Sequence, residues 1–593
     1  MTNTVSDYIL KRLHEWGVRQ VYGFPGDGIN GLLGAWERQK DVRFIQVRHE
    51  EMAAFMASAH SKWTGEVGVC AATSGPGAIH LLNGLYDAKM DNQSVVAIVG
   101  QSARQALGGF FQQEVDLQSL FKDVAHEYVQ TLVEPSGTRH IIDEAFRIAA
   151  SRRTVTAIIV PNDIQLLEFQ EPTRSHNSIH SGLGYTRPVV TPSQFDLQRA
   201  ADVLNRGSKV AMLVGAGSLG AEPELTETAD ILGAGVAKAL LGKAALPDDL
   251  PYVTGCIGLI GTRPSWDLMQ ECDTLLMVGT NFPYGEFLPA EGKANGVQID
   301  IEGRHLGLRY PTSVNLQGDS GATLRALMPM LERKADRKWR QKVERWVGDW
   351  WNLIEKRTET AADPINPEKL FWDLNPYIPD RTIVSADAGT TADWYARFIK
   401  MRTGMMGSLS GNLATMGPAV PYAIAAKFTH PGRVALAVTG DGAMQMNGMN
   451  ELLTIAKYWR EWQDPRLVIL VLHNNDLNQV TWEQRVMVGN PKFEASQDIP
   501  DMNYATFADS IGLRGIRVEK PDQIARGWEL AFEADRPVVV DALSDPNVPP
   551  LPPHINFEQA RNFTMAVVHG DSGRGAMIRE SIRDMVEAPL RRD

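Results

Sequence analysis

Short, almost wholly apolar runs punctuate the first part of the chain: VYGF, FIQV, VGVCAAT, SVVAIVG and TAIIVP, each separated from the next by a helix-like stretch. Runs that are apolar throughout, without polar and apolar residues alternating, predict strands buried on both faces, and their alternation with helices predicts parallel α/β layers. From Glu171 to Ser193 the pattern lapses into EPTRSHNSIHSGLGYTRPVVTPS, whose Ser, Gly and Pro content reads as a surface linker. A helix then opens at about Ser193, followed by strands in KVAMLVG, LLMVG and VQIDI. The segment RKADRKWRQKVERWVGDWWNLIEKR reads as a connecting helix whose Trp346, Trp350 and Trp351 mark a face to be buried. Strands return in TIVSADAG, VALAVTGDG, LVILVLHNN and PVVVDAL, and the Pro-rich NVPPLPPH introduces a tail. The expected division is 1–178, 192–335 and 365–550, three α/β units, with a tail over 551–593. No short fixed period is visible, which sets aside solenoids and propellers.

Composition narrows the class. A length of 593 residues implies several packed units. With 44% hydrophobic and 22% charged residues the chain matches ordinary globular proteins, excluding disordered and collagen-like ones. The formal charge of -12, without a basic run, argues against nucleic acid as a partner. Cys70, Cys256 and Cys272 are far apart and form no CxxC pair, so neither a disulfide framework nor a thiolate zinc site is expected. The N-terminus MTNTVSDYIL has no signal-peptide pattern, and no run reaches the about 18 apolar residues of a membrane span. A reducing, cytoplasmic setting is the expectation.

The strongest chemical signal is VALAVTGDGAMQMNGMNELLTIAKYWREWQDPRLVILVLHNN. One strand delivers Gly440-Asp441-Gly442 into a tight turn, a helix opens at Ala443, and the next strand delivers Asn474-Asn475 beside it. The Asp441 carboxylate, the Asn475 amide oxygen and the Leu477 carbonyl are hard oxygen ligands of the kind that suits magnesium. Gly440 and Gly442 permit close backbone approach to phosphate, and the helix N-terminus adds amide donors. A Gly-Asp-Gly turn alone is usually only a turn; its pairing with Asn-Asn on the following strand is much rarer.

On these residues the chain resembles the thiamine diphosphate enzymes of the pyruvate oxidase, acetolactate synthase and pyruvate decarboxylase family. The stretch between the two motifs is several residues longer than is usual there, with the excess placed in YWREWQDPR. The resemblance extends from Tyr8 to about Phe563 and implies three doubly wound domains for pyrimidine, central and diphosphate binding. It implies roles residue by residue. Glu50, in Arg48-His49-Glu50-Glu51, would contact the aminopyrimidine ring nitrogen. From the residues alone, Glu50 and Glu51 also suit a solvated helix start. Asp387, Gly389 and Thr390 would form the diphosphate loop, Ala414 would supply a carbonyl to the amino group, and Met416 would be the wedge beneath the cofactor. In family members the two halves of the site come from different subunits, which implies a homodimer or homotetramer.

The resemblance implies decarboxylation of a 2-oxo acid to an enamine on the cofactor, and the central segment bears on that enamine's fate. Gly215-Ala216-Gly217-Ser218-Leu219-Gly220 is formally GxGxxG, but no acid lies about 20 residues on, which disfavours a simple NAD site. The succession CIGLIGTRPSW, VGTNFPYGEFLP and VQIDIE is similar to the flavin domain of pyruvate oxidases, above all the quinone-reducing pyruvate dehydrogenases. That implies FAD, admitted by Gly215, Gly217 and Gly279, with Asp300 near the adenosine ribose. GFFQQEVDLQSLF is similar to the loop containing FQE, and either Gln112 or Gln113 takes the glutamine's place, depending on the register. The absence of a His-His pair there weakens the simple decarboxylase reading. After Asn475, DLNQVTWEQR has Gln479 where the family commonly has glycine, which puts the 2-oxo acid's identity in doubt.

The favoured reading is decarboxylation of pyruvate with oxidation of the enamine through FAD. The alternatives are an acetolactate synthase-like carboligase or a decarboxylase with non-redox or absent FAD, and, against intact Glu50, Asp441 and Asn475, an inactive scaffold. In the tail, GAMIRESIRDMVEAPLRRD places Met577, Ile578, Ile582, Met585 and Val586 on one helical face. The mixed charge of its other face favours docking on the protein itself over peripheral membrane contact.

Overall fold

The computed structural model describes residues 3–550, 557–569 and Asp571. Its frame is three six-stranded sheets, parallel throughout. The N-terminal sheet holds β1 (Gln20–Gly23), β2 (Arg43–Gln46), β3 (Gly68–Ala72), β4 (Val95–Gln101), β5 (Val129–Thr131) and β6 (Val155–Pro161). The central sheet holds β7 (Val210–Val214), β8 (Gly235–Lys238), β9 (Val253–Cys256), β10 (Thr274–Val278), β11 (Asn295–Asp300) and β12 (Val314–Gln317). The C-terminal sheet holds β13 (Ile383–Ala386), β14 (Met406–Ser408), β15 (Ala435–Gly440), β16 (Leu467–His473), β17 (Arg514–Val518) and β18 (Val538–Leu543). The α/β class is as expected, with β5, β8, β9, β12, β14 and β17 added to the strands read from the apolar runs.

The outer sheets share one topology. Their orders, β2-β1-β3-β4-β6-β5 and β14-β13-β15-β16-β18-β17, both reverse direction between the first and third strands in sequence. The central order, β12-β11-β10-β7-β8-β9, reverses between β7 and β10. In such sheets ligands bind beyond the carboxyl ends of strands at the reversal. In the C-terminal and central sheets those positions carry the glycine-rich turns: Asp387–Thr391 and Gly440–Gly442 after β13 and β15, and Gly215–Gly217 and Gly279 after β7 and β10.

One hydrophobic core joins the two outer sheets. The helix Glu50–Thr64 lies against the helix Ala419–Thr429, Trp63 Nε1 donates to the Tyr422 carbonyl at 3.1 Å, and their rings meet edge to face. Between them Asp87 is buried and accepts from the Ser58 and Tyr422 hydroxyls. The expected connector is the helix Lys338–Thr358. It buries Trp350 in the core of the C-terminal sheet and packs Trp346 on that of the central sheet. Ser193 caps the helix Gln194–Arg206, and residues 171–192 before it form neither helix nor strand. All three cysteines are free and buried. Among the described residues no helix is long and apolar enough to cross a membrane.

The described part of the tail is the helix Phe557–Val568 and its end. Phe563 stacks on Trp482, Asn562 Nδ2 donates to the Met487 carbonyl at 3.0 Å, and Asp571 pairs with buried Arg485 through two hydrogen bonds of 2.8 and 2.7 Å. This tail segment is thus docked on the chain that follows Asn475. The apolar face expected over Met577 to Val586 lies outside the described residues.

Candidate active site

Because β16 runs beside β15 in the register Gly440↔Leu472, both strands end level and His473, Asn474 and Asn475 emerge next to Asp441. Asp441 is buried. Its Oδ1 accepts from the Gly442 amide at 2.9 Å, and its Oδ2 from the amides of Asn474 and Asn475 at 2.7 and 2.6 Å. Asn475 holds a left-handed backbone, φ 56°, a conformation asparagine tolerates better than most residues. Burial pushes the Asp441 carboxyl up to about 6 against the pull of these hydrogen bonds. A Cβ on Gly442 would stand 2.7 Å from Leu477 Cδ2 and 3.6 Å from Met416 Cε, so these three residues meet at the turn.

Asp387, at the end of β13, is buried and organises the neighbouring loop. Its carboxylate accepts from the amides of Ala388, Gly417 and Ala419 at 3.0, 2.7 and 3.3 Å, which pins the turn that carries Ala414 and Met416. Burial pushes its carboxyl up to about 6 as well. Ala414 and Gly417 both have positive φ, 54° and 100°. Gly389 caps the helix Thr390–Phe398 with φ 88° and has nothing within 4 Å of the position a side chain would take; at Gly440 the nearest atom is Thr391 Cγ2 at 4.0 Å. The two loops thus offer a helix N-terminus and two bare glycine faces beside an acidic turn.

Glu50 opens the helix Glu50–Thr64 and is buried, its Oε2 2.9 Å from His80 Nδ1. The His80 ring stacks on His49. Gly77 leaves the room Glu50 needs, since a Cβ there would lie 3.2 Å from Oε1 and 2.7 Å from Thr73 Cγ2. Of the two candidate glutamines, Gln113 is seated: its Oε1 accepts from the Ser74 hydroxyl at 2.9 Å, whereas Gln112 is exposed beside exposed Phe110 and Phe111. Asn83 Nδ2 links this half to the loop of Ala414–Met416, donating to Glu51 Oε1 at 2.5 Å and Thr415 Oγ1 at 2.9 Å. Arg48 donates its amide to Glu451 at 2.9 Å. Among the described residues no hydrogen bond joins Glu50 itself to Asp441, Asn475 or Met416.

The central glycines differ. Gly217 donates its amide to the Gly279 carbonyl at 2.9 Å. A Cβ on Gly215 would lie 2.6 Å from that carbonyl oxygen, and one on Gly217 2.8 Å from Gly279 Cα. The backbones fill one another's space, so close packing alone accounts for glycine here. Asp300 ends β11 and accepts from the Glu302 amide at 2.9 Å, with His305 Nδ1 3.7 Å away.

Four residues outside the sequence motifs stand behind this site: His80 on Glu50, His473 with Nε2 2.8 Å from Asn475 Oδ1, Asp541 with Oδ1 2.8 Å from His473 Nδ1, and Arg517, which donates to Asp541 Oδ2. His80 follows a Gly-Pro turn that signals no partner for Glu50. His473 carried one available mark, as the only polar residue of the strand LVILVLH. In the segment after Asn475, Thr481 and Trp482 turn inward, Thr481 Oγ1 donating to Asp476 at 2.8 Å and Trp482 Nε1 to the Pro546 carbonyl at 3.0 Å. Val480 and Glu483 are exposed.

Three family models match: the N-terminal TPP binding domain of thiamine pyrophosphate enzymes over 3–120, the central domain over 197–327 and the C-terminal TPP binding domain over 387–542. The chain is 36% identical over 562 residues to the "Putative thiamine pyrophosphate-containing protein YdaP" of Bacillus subtilis, covering 95% of each. It is 28% identical to the pyruvate oxidase of Lactiplantibacillus plantarum over 90% of this chain and 87% of that one. It is 29% identical to the "Probable acetolactate synthase large subunit" of Methanocaldococcus jannaschii, over 92% and 93%.

Proposed function

The chain belongs to the thiamine pyrophosphate enzymes, and from that premise we propose that it decarboxylates a 2-oxo acid, pyruvate foremost, and passes the electrons to FAD as a pyruvate oxidase does. The observation that carries the reading is the Asp441 turn, paired with the Asn474 and Asn475 amides, beside the bare faces of Gly389 and Gly440. A carboxylate, an amide oxygen and a carbonyl fit magnesium, and the open glycines fit a diphosphate. Asp441, Asn475 and the Leu477 carbonyl would hold the metal. Gly389, Thr390, Gly440, Gly442 and the helical turn at Ala443 would hold the phosphates, with Asp387 holding the loop.

Bound thiamine diphosphate supplies an electron sink for the carbon that loses carbon dioxide. The chain's own residues prepare it. Glu50, kept in place by His80, would hold a proton at the pyrimidine ring nitrogen; Met416 would fill the space beneath the ring and Ala414 offer its carbonyl to the amino group. Gln113, fixed by Ser74, would face the 2-oxo acid. Gly215, Gly217, Gly279 and Asp300 would line the FAD site, and a homodimer or homotetramer would complete the enzyme. A carboligase is the second reading, supported by the synthase relative's 29% identity beside the oxidase's 28%.

The deciding experiment measures carbon dioxide release from pyruvate with and without an artificial electron acceptor, under nitrogen, while recording the flavin spectrum. Bleaching on pyruvate addition with acceptor-dependent turnover is expected; a flavin that stays oxidised while acetolactate accumulates replaces the oxidase with the carboligase. Glu50→Gln should slow exchange of the C2 proton of bound thiamine diphosphate by roughly 100-fold or more, with diphosphate binding retained. Exchange at the wild-type rate removes Glu50 from its role.

A further inference from the structure

A line of polar side chains crosses the buried face of the C-terminal sheet and ends on Asn475. Arg517 of β17 pairs in register with Asp541 of β18, and Asp541 stands opposite Val471 of β16, two residues before His473. The two-residue period of a strand puts 471 and 473 on one face, so the three side chains meet. Arg517 donates to Asp541 Oδ2 at 2.7 Å, Asp541 Oδ1 lies 2.8 Å from His473 Nδ1, and His473 Nε2 lies 2.8 Å from Asn475 Oδ1. His473 and Asp541 are buried, in a sheet whose neighbouring strand residues are almost all aliphatic. Tyr504 braces the group: its amide donates to Asp541 Oδ2 at 3.2 Å, and its ring meets the imidazole edge to face. Asp501 Oδ1, from the exposed side, lies 3.1 Å from Nε2.

A polar line buried in an aliphatic sheet needs a reason, because hydrophobic residues of similar volume would serve stability as well. The far end of the line supplies one. Asn475 is exposed, on a left-handed backbone, and an exposed amide otherwise samples several rotamers. Its oxygen has two lone pairs, so one engaged with Nε2 leaves the other for a cation. Outer partners of this kind fix ligand orientation at metal sites, and their loss typically weakens metal binding about 10- to 100-fold. We propose that His473, backed by Asp541 and Arg517, is a positioning residue that holds the Asn475 amide for a divalent cation beside Asp441. The inference rests on the reading of Asp441 and Asn475 as cation ligands.

The test is Mn2+ binding to metal-free full-length protein in the presence of thiamine diphosphate, followed by electron paramagnetic resonance, with melting temperatures recorded for every variant. His473→Phe, which keeps the bulk and loses both nitrogens, should weaken Mn2+ about 10- to 100-fold, and His473→Gln, which can still reach Asn475, should recover part of the loss. A folded His473→Phe with wild-type Mn2+ affinity overturns the proposal. Should that variant not fold, Arg517→Gln, at the more exposed end of the line, decides instead: several-fold weaker Mn2+ binding is expected, and unchanged binding overturns it. Asp441→Ala separates the two levels. If wild type binds Mn2+ and Asp441→Ala does not, unchanged binding in the His473 variants sinks this inference alone; a wild type that binds no Mn2+ sinks the cation reading beneath it.

Discussion

The central and C-terminal sheets both place glycine-rich turns at the carboxyl ends of the two strands where their order reverses, yet they use the glycines in opposite ways. After β7 and β10 the missing side chains let Gly215, Gly217 and Gly279 press against one another's backbone. After β13 and β15 they leave space in front of Gly389 and Gly440, next to a buried carboxylate that still has a lone pair on Oδ1 to offer. The same residue type thus lets backbones close on one another in one sheet and leaves a face open in the other. Buried charge divides the same way. Asp248 beneath the central sheet is paired by Lys238 at 2.5 Å and Lys243 at 3.3 Å, whereas Asp441 and Asp387 are held by amides alone or with a weak hydroxyl contact, and among the described residues no Lys or Arg pairs with them.

The largest effect expected is from Asp441→Ala. Without the carboxylate, the affinity for thiamine diphosphate at fixed magnesium should fall at least about 100-fold in a calorimetric titration, since metal affinity depends on a deprotonated oxygen ligand. If the central sheet takes up FAD as proposed, its retention should not change. Undiminished affinity would reduce the motif to a turn and erase the contrast between the sheets. Next comes Gly217→Ala, whose new methyl would sit 2.8, 3.1 and 3.3 Å from the Cα, O and C of Gly279, backbone that cannot swing aside. Overpacking of that kind costs about 3 kcal/mol at its upper end, read as lost unfolding free energy in denaturant. A Gly217→Ala protein of wild-type stability that no longer retains flavin would instead show that the space was reserved for a ligand.

Where the apolar runs were long, the sequence was legible; where they were short and mixed, it was not. The strands it left unread, other than β8, are all edges of their sheets: β5, β9, β12, β14 and β17. An edge strand has one neighbour and can keep a half-wet face: β12 alternates buried and exposed residues and β5 has no fully buried residue, whereas β9, buried throughout, was missed because VTGC is short and mixed. β8 is wholly buried but carries Lys238, whose charge hides it until Asp248 is seen as its partner. In the candidate site, the meeting of Asp441 with Asn475 was legible because both residues lie at the ends of neighbouring strands and within one stretch of chain. His473, Asp541 and Arg517 were not, because only sheet register brings them together. That Ser74 holds Gln113 and not Gln112 was likewise not legible, because Ser74 and Gln113 lie 39 residues apart in sequence.

The buried carboxylates give the comparison a pH dependence. Asp387 and Asp441 titrate at about 6, above the ordinary 3.8, because burial disfavours their charge. Stability from such a group is complete below the unfolded value and is lost as pH rises through the folded one. Between pH 5 and 7 each should lower the stability of metal- and cofactor-free protein by about 1 kcal/mol. Burial also opposes the Asp248 charge, but Lys238 and Lys243 outweigh it and hold that carboxyl below 3.8, so its contribution is lost only in stronger acid. Hydrogen exchange, corrected for intrinsic rates, should show weaker protection at pH 7 than at pH 5 around 387–391 and 474–475, and no change around Asp248. Magnesium with thiamine diphosphate should abolish the difference, and equal protection at both pH values without them would mean that the two sheets pair their buried charge equally well.

The smallest effect is the sharpest test of what the glycines are for. Gly440 has an ordinary extended backbone, φ -93°, so alanine is compatible with its conformation, and the new methyl would approach nothing closer than Thr391 Cγ2 at 4.0 Å. The fold therefore has no reason to resist Gly440→Ala, and its unfolding free energy should match wild type within the roughly 0.5 kcal/mol usual for a substitution that touches nothing. If the bare face is where a diphosphate oxygen approaches the backbone, the same methyl occupies that space. Affinity for thiamine diphosphate should then drop about tenfold, roughly 1.4 kcal/mol. Gly217→Ala should show the reverse, a loss of stability at unchanged thiamine diphosphate affinity. Should Gly440→Ala bind the cofactor as wild type does, the open face is not the diphosphate's, and the approach must be sought along the Gly389–Thr391 turn, where the same substitution is confounded by the positive φ of Gly389.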